Sequence, residues 1–440
     1  MNRRSLFILL ITSVILQFAY AQDQDYKTNR TYSDTLDYHP VNSDFINTKV
    51  DSIMTLGIKN QAFPGAQLLV AKSGSIIFHK AYGFHTYDSL QPVQNSDLYD
   101  LASVTKVAGA LPAIMKLVDE GKIELDEKFS QYWKPWKHRK DKRDLTVREI
   151  LAHQAGLEPY IVFLNDVLKK NGKFKHRFIR DKKSNRFSVQ TYNNLWLNKH
   201  FVRKMYRKIN RSEVSSEKKY KYSGLSFLLF PQIIENLSGV AYESYVQENF
   251  YTPLGANNLM FNPEKHDFPE AHIIPTEQDS VYRKSFVKGW VHDENASLLG
   301  GVSGNAGLFA TANDLAKLMQ MYMNMGIYNG KRYISEKTMK EFTHVQYPEN
   351  DNYRGLGFDK PYLNNKNLDL EHSYPNPEVS QNSFGHSGFT GTFVWADPDN
   401  ELVFVFLSNR VYPSRTHTAI YNLHIRPSLM QVFYQNLRLN

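Results

Sequence analysis

Ser103 and Lys106 stand three residues apart in LYDLASVTKVAGA, residues 98–110, a stretch otherwise apolar at helical spacing. On a helix, side chains at i and i+3 are neighbours, so this hydroxyl and this amine can meet. A serine hydroxyl is a poor nucleophile until a base stands beside it. Burial disfavours the charged form of an amine and so frees it for that task. At the N-terminal end of a helix the Ser103 backbone N–H also faces any negative charge that develops. Nucleophile, base and oxyanion donor thus fall within one turn, which is the equipment of acyl transfer. The plainer alternative is a chance Ser-x-x-Lys whose lysine snorkels to the surface.

The elements around this pair are legible from pattern. Two apolar, β-rich runs between Pro64 and Gly83 flank Lys72-Ser73-Gly74, which predicts a hairpin. The segment 103–120 predicts a helix closed by Gly121. LTVREILAHQAGL, from Leu145, reads as a short helix running into a turn at Gly156, and residues 160–290 read as mostly helical. In GGVSGNAGLFATANDLAKLMQMYMN a glycine-rich turn precedes a short strand and a helix capped by Thr311 or Asn313. TGTFVWADPDNELVFVFLSN predicts two strands joined at Asp397–Asn400, and an amphipathic helix begins near Thr416. Strands at both ends and helices between imply an α+β fold: an antiparallel sheet built from the chain's two ends, flanked by helices, with a helical region (about 101–290) inserted.

The chain has 440 residues and opens with Arg3-Arg4, an apolar run and Ala19-Tyr20-Ala21, the form of a signal peptide over residues 1–21. A polar linker, 22–45, precedes the domain at 46–440. With no cysteine there is no disulfide scaffold and no lipid attachment at a thiol. These features predict export to a bacterial periplasm or beyond, with no transmembrane anchor after cleavage. The net charge of +9 is uneven: residues 165–221 hold 18 Lys and Arg against Asp166, Asp181, Glu213 and Glu217, a local +14. One basic segment on an otherwise acidic chain argues against a nucleic-acid fold. It is either a solvated insertion or a surface for an anionic polymer.

LYDLASVTKV, then LVDEGKIELDEKF and LTVREILAHQAGL, and later GHSGFTGTFVWADP, resemble the serine hydrolases related to class C β-lactamases, DD-carboxypeptidases and their esterase relatives. GLFATANDLAKL and FVFLSNRVYP share the likeness, which spans about residues 46 to 435. The resemblance implies a β-lactamase/penicillin-binding-type fold in which three motifs meet in one cleft: S-x-x-K, Y-x-N, and K-T-G or H-x-G. It makes Ser103 the acyl-accepting nucleophile, Lys106 its partner, and Tyr222, in KYKYSGLSFLL, the proton shuttle. His386, Ser387 and Gly388 become the substrate-binding strand, and the N–H groups of Ser103 and Phe389 the oxyanion hole. Gly388 has its own reason to lack a side chain, because the acyl group would lie against that strand.

The second motif departs from the pattern: Tyr222-Ser223-Gly224 has glycine where the family carries asparagine. That weakens amide and β-lactam turnover more than ester chemistry. Ser303-Gly304-Asn305 matches a variant S-x-N string, and Tyr220 rivals Tyr222. His292, Asp293 and Asn295 are candidates to line the cleft, while His153 reads as a loop staple. No G-x-S-x-G elbow, H-E-x-x-H or phosphate loop is present. His266, Asp267 and His272 lack a further ligand, so neither metal nor cofactor is expected. The implied function is an exported serine hydrolase acting through an acyl-enzyme on Ser103. It would be an esterase or DD-carboxypeptidase-like peptidase on small acyl substrates or cell-wall peptide, with weak or no β-lactamase activity. The alternative is a catalytically silent cell-wall-binding protein on the same scaffold.

Overall fold

The computed structural model describes residues 36–38 and 44–437. Its central sheet joins the two ends of the chain. The N-terminal hairpin consists of β2 (Gly65–Lys72) and β3 (Ser75–Gly83), turning through Ser73 and Gly74 with φ of 50° and 81°. The C-terminal strands are β4 (Phe384–Ser387), β5 (Phe393–Asp397) and β6 (Leu402–Ser408), and β1 (Asp37–Tyr38) adds a parallel edge to β3. The order is β1-β3-β2-β6-β5-β4, with β6 antiparallel to β2 over seven pairs from Ala66↔Ser408 to Lys72↔Leu402. Both ends of the chain therefore build one sheet, and β4 forms an edge strand.

Strands β2, β5 and β6 read as nearly continuous apolar runs because both faces are covered. Leu68, Val70, Phe404, Phe406 and Trp395 point to one side, where helices α1 (Asp44–Lys59) and α4 (Ile425–Leu437) pack. Leu69, Ala71, Val403, Val405 and Val394 point to the other, against α3 (Ala312–Met323) and the main core. Thr311 caps α3 by accepting the Asp314 N–H at 3.2 Å. The helical run that carries Ser103 is a 3-10 turn (Ala102–Val104), a π-helical turn (Lys106–Ala110) and α2 (Leu111–Asp119), followed by Gly121 at φ +65°. The helix Val147–Leu151 starts with a complete capping box between Thr146 and Glu149.

Two expectations need correction. Residues 160–290 are not mostly helical: the basic segment 165–221 contains a three-stranded antiparallel sheet, Ile179–Arg180, Leu195–Asn198 and Phe187–Tyr192. Its FSVQTY run alternates aromatic and β-branched residues with polar ones, a period of two rather than 3.6. Only afterwards does the helix His200–Arg211 bury Phe201, Met205 and Ile209 at i, i+4 spacing. The inserted region is mixed α/β. The linker 22–45 is also shorter at its C-terminal end, since Asp37–Tyr38 is a strand and α1 starts at Asp44. The expected signal peptide, residues 1–21, lies outside the described residues.

Candidate active site

Ser103 sits where the chain leaves the short strand Tyr99–Asp100 and enters the helical run. Ala102, immediately before it, has φ +44°, a sparsely populated conformation for a residue with a Cβ. Asp100 holds that turn in place: its buried carboxylate accepts the Ala102 N–H at 2.8 Å and the His292 N–H at 2.6 Å. Burial raises the Asp100 carboxyl above its ordinary range, even against those two bonds. Lys106, 2% exposed, donates from Nζ to Ser103 Oγ at 2.9 Å and to the Asn305 carbonyl at 3.2 Å. The serine and lysine meet as the i, i+3 spacing requires, although the turn between them is not regular α-helix.

Tyr222 arrives on an irregular stretch and is stapled there by His153. Their rings lie 4.6 Å apart, the Ser223 N–H donates to His153 Nδ1 at 3.2 Å, and the Lys221 N–H donates to the His153 carbonyl at 2.9 Å. Burial, with Arg354 and Lys106 nearby, holds His153 well below the usual imidazole range, so it packs as a neutral ring. The Lys106 ammonium lies 5.3 Å from the Tyr222 ring centre and the Arg354 guanidinium 5.7 Å from it. Tyr220 lies farther along the same wall, 5.9 Å from Arg354.

Strand β4 carries His386 and Ser387 to the same cleft, the His386 ring 6.2 Å from that of Tyr222, and Gly388 follows. A Cβ at Gly388 would stand 2.0 Å from Thr392 Oγ1 and 2.5 Å from the Leu101 carbonyl, so only glycine fits. Thr392 Oγ1 donates to the Leu101 carbonyl at 3.0 Å and Thr390 Oγ1 to the Asp100 carbonyl at 2.7 Å, which pins the strand to the turn before Ser103. The Phe389 carbonyl accepts from Arg410 Nε at 2.9 Å, while the Arg410 N–H donates to the Thr390 carbonyl at 2.9 Å. Among the described residues the Phe389 N–H meets no acceptor. This loop therefore presents a free donor on a fixed backbone.

Ser103, Tyr222, His386, Ser387, Gly388 and Phe389 together line one cleft of about 360 Å³. Tyr220, the rival to Tyr222, lines it too, and the rest of its wall was not foreseen: Arg354, Asp359 and the tyrosines 353, 362, 374 and 421. Arg354 Nη1 is ion-paired with Asp359, Nη2 donates to the Gly357 carbonyl at 3.2 Å, and the Tyr374 hydroxyl donates to Asp359 Oδ2 at 2.7 Å. Asp359 exchanges backbone bonds with Gly385 at 2.8 and 3.0 Å, so the pair is fastened to β4 beside His386. Nothing in the spacing of YRGLGFDK marked these residues, which reach the cleft through tertiary packing.

His292, Asp293 and Asn295 do not line the cleft. His292 Nε2 bonds to Glu277 at 2.8 Å and its ring stacks behind Phe389 at 5.9 Å. Asp293 caps the helix Glu294–Leu298, accepting the Ala296 N–H at 2.7 Å, and Asn295 donates to the Ile161 carbonyl at 3.0 Å. Polar loop residues here are spent on the loop itself. Ser303 is buried and donates to Asn305 Oδ1 at 2.7 Å, so the Ser303-Gly304-Asn305 string offers the site only the Asn305 carbonyl that receives Lys106. His272 goes to Asp97 at 2.8 Å and His266 faces Glu243 at 3.5 Å, so the two histidines serve different partners.

The family model described as Beta-lactamase matches residues 47–425. Proteins of Salmonella heidelberg (strain SL476) and Salmonella typhimurium, each named "Putative D-alanyl-D-alanine carboxypeptidase", are 30% identical over 398 residues, covering 84% of this chain and 84% of theirs. EstCE1, a hydrolase with promiscuous acyltransferase activity, superposes with a TM-score of 0.61 at 18% identity, covering 88% of this chain and 98% of its own. A penicillin-binding protein homologue from Caulobacter crescentus gives 0.61 at 18% identity, covering 90% and 99%. At that identity the structural likeness speaks for the fold.

Proposed function

The chain belongs to the beta-lactamase family and is a serine hydrolase, and from that premise we propose that it forms an acyl-enzyme on Ser103. The observation that carries this reading is the Lys106 Nζ to Ser103 Oγ bond of 2.9 Å, made inside the cleft that also holds Tyr222 and His386. Ser103 Oγ bonds to the acyl carbon and its proton passes to the Tyr222–Lys106 pair. The oxyanion that forms is met by the Ser103 and Phe389 N–H groups. The proton then leaves with the alcohol or amine, and water releases the acid by the same route in reverse. Charge gathering on Tyr222 during transfer has two cations near its ring, Lys106 at 5.3 Å and Arg354 at 5.7 Å from the ring centre.

The substrates proposed are small esters or cell-wall peptides, the latter suggested by the names of the curated relatives. With Gly224 in the second motif, β-lactam turnover is weak or nil. Among the described residues no helix is long and apolar enough to cross a membrane. The Arg3-Arg4 and Ala19-Tyr20-Ala21 features support export. The basic segment supports a surface for an anionic polymer: Arg203, Arg207 and Arg211 are exposed at i, i+4 spacing on a helix with no acidic residue. Replacing these three by Ala is expected to weaken retention on an anionic resin at low salt; unchanged retention refutes the polymer surface.

The test is intact-mass spectrometry after brief exposure to p-nitrophenyl acetate, a cephalosporin and a peptide ending in D-Ala-D-Ala. Acylation that Ser103→Ala abolishes is expected with the ester. A folded protein that no donor acylates would point instead to a silent binding scaffold.

A further inference from the structure

One residue breaks the helical run that carries Ser103 and Lys106. Pro112 stands second in α2 and has no N–H to give. Residue 112 is the donor that the Ala108 carbonyl would use in an α-helix and the Val107 carbonyl in a π-helix. In a regular α-helix the proline ring would also crowd the Ala108 carbonyl. The turn before it takes the wider form, Lys106–Ala110, in which the Leu111 N–H reaches back to the Lys106 carbonyl. Buried carbonyls that lose a backbone donor need another one.

Two tyrosines from elsewhere in the fold supply it. The Tyr322 hydroxyl, from α3, donates to the Val107 carbonyl at 2.8 Å. The Tyr251 hydroxyl, from the segment Gln247–Tyr251, donates to the Ala108 carbonyl at 2.9 Å. Both side chains are buried, and neither lines the cleft. These are the two carbonyls that Pro112 cannot serve. A third buried tyrosine lies against the same turn without such a bond: a Cβ at Gly109 would stand 2.7 Å from the Tyr242 hydroxyl, which has no partner.

Lys106 opens this turn, and Val107 and Ala108 follow it directly. A wider turn rotates the residues before it relative to α2, and so changes the direction in which the Lys106 side chain leaves the backbone. Its Nζ reaches Ser103 Oγ at 2.9 Å from that setting. We propose that Tyr251 and Tyr322 are positioning residues for acyl transfer: their hydroxyls hold the turn that Pro112 opens, and through it they aim Lys106 at Ser103. The inference rests on the acyl-enzyme reading above and extends it to side chains outside the cleft.

Tyr251→Phe, Tyr322→Phe and the double variant test it, with Tyr242→Phe as the control. Each keeps the ring and removes one oxygen, and urea midpoints establish that each is folded. Single-turnover release of p-nitrophenolate from p-nitrophenyl acetate, with enzyme in excess, reads the acylation step. Each single variant is expected to lower the maximal rate about ten-fold and the double variant about 100-fold, with half-saturation moved less than about two-fold. Tyr242→Phe loses an unbonded hydroxyl and should stay within about two-fold of wild type. A crystal structure of the slowest folded variant should show Lys106 Nζ beyond hydrogen-bond distance of Ser103 Oγ. If the double variant does not fold, the single variants decide. Folded variants with wild-type rates overturn the inference, as does an equal loss in Tyr242→Phe. A slowed variant that keeps the Lys106–Ser103 bond, or one whose loss lies in half-saturation alone, also overturns it. A wild-type enzyme that this ester does not acylate at Ser103 would instead remove the acyl-enzyme reading, and this inference with it.

Discussion

Gly388→Ala tests whether the end of strand β4 and the turn before Ser103 must touch. The added methyl would stand 2.0 Å from Thr392 Oγ1 and 2.5 Å from the Leu101 carbonyl, where real Cβ atoms come no closer than 3.0 Å. The hydroxyl must therefore retreat by about 1 Å and the carbonyl by about 0.5 Å, which strains the 3.0 Å bond between them. Overpacking of a close-fitted site costs about 1–3 kcal/mol, and losing that bond adds about 1 kcal/mol. The expected loss of stability is about 2–4 kcal/mol, read from the urea midpoint. Leu101 is two residues before Ser103, so the same displacement moves the proposed nucleophile against its proposed oxyanion donors. A misplacement of that order lowers kcat about 100-fold, read with p-nitrophenyl acetate. Adding Thr392→Ala removes one of the two clashes and should recover part of the stability. Wild-type kcat with wild-type stability in Gly388→Ala would refute the contact.

Acid should destabilise the protein partly through His386. Its value falls from 6.5 to about 4 on folding, so between those pH values the unfolded chain binds a proton that the folded one refuses. That removes about 3 kcal/mol across the window; His386→Gln should flatten the fall in urea midpoint from pH 7 to 4.5, and parallel curves would refute it. Burial raises the Asp359 carboxyl, but Arg354, His386 and Tyr374 together hold it below its ordinary 3.8, so its contribution is present above that value and lost below it. Asp359→Asn leaves a buried guanidinium without an anion and should cost about 3–5 kcal/mol at pH 7; a loss under about 1 kcal/mol would show the pair to be dispensable. At Gly224 a Cβ meets nothing nearer than the Pro159 carbonyl at 4.0 Å, and no unusual φ is required. Gly224→Asn should therefore fold normally and speed acylation by a cephalosporin; a folded variant with no gain would mean that Gly224 is not what limits that reaction.

Much of the sheet was legible because local signals and global demands agree. The hairpin at Ser73-Gly74 needs two residues of positive φ, and its strand β2 is apolar on both faces because both faces are covered. The basic segment misled because its strands are short and its aromatic residues are half-covered by cations: Lys183 lies 5.4 Å from the Trp196 ring centre and Arg180 5.6 Å from that of Phe187. Lysine and arginine stems there hide apolar surface that periodicity alone would assign to a core.

The site divides along the same line. Ser103 and Lys106 could be paired from spacing because one helical turn fixes their distance. Arg354 and Asp359 could not, since they reach His386 only through the two backbone bonds that Asp359 makes with Gly385. The chemistry of the His386-Ser387-Gly388 motif is likewise unreadable from its letters. A histidine there could present a donor, a cation or a lone pair, and which one it presents depends on what the other nitrogen finds. Here that partner is the Ser387 carbonyl at 2.7 Å, one residue along the edge strand β4. The neighbouring Arg354 is ion-paired with Asp359 through Nη1, while its Nε meets no partner among the described residues. A motif that suggests anion binding by position therefore holds a ring whose Nδ1 is spent on its own strand.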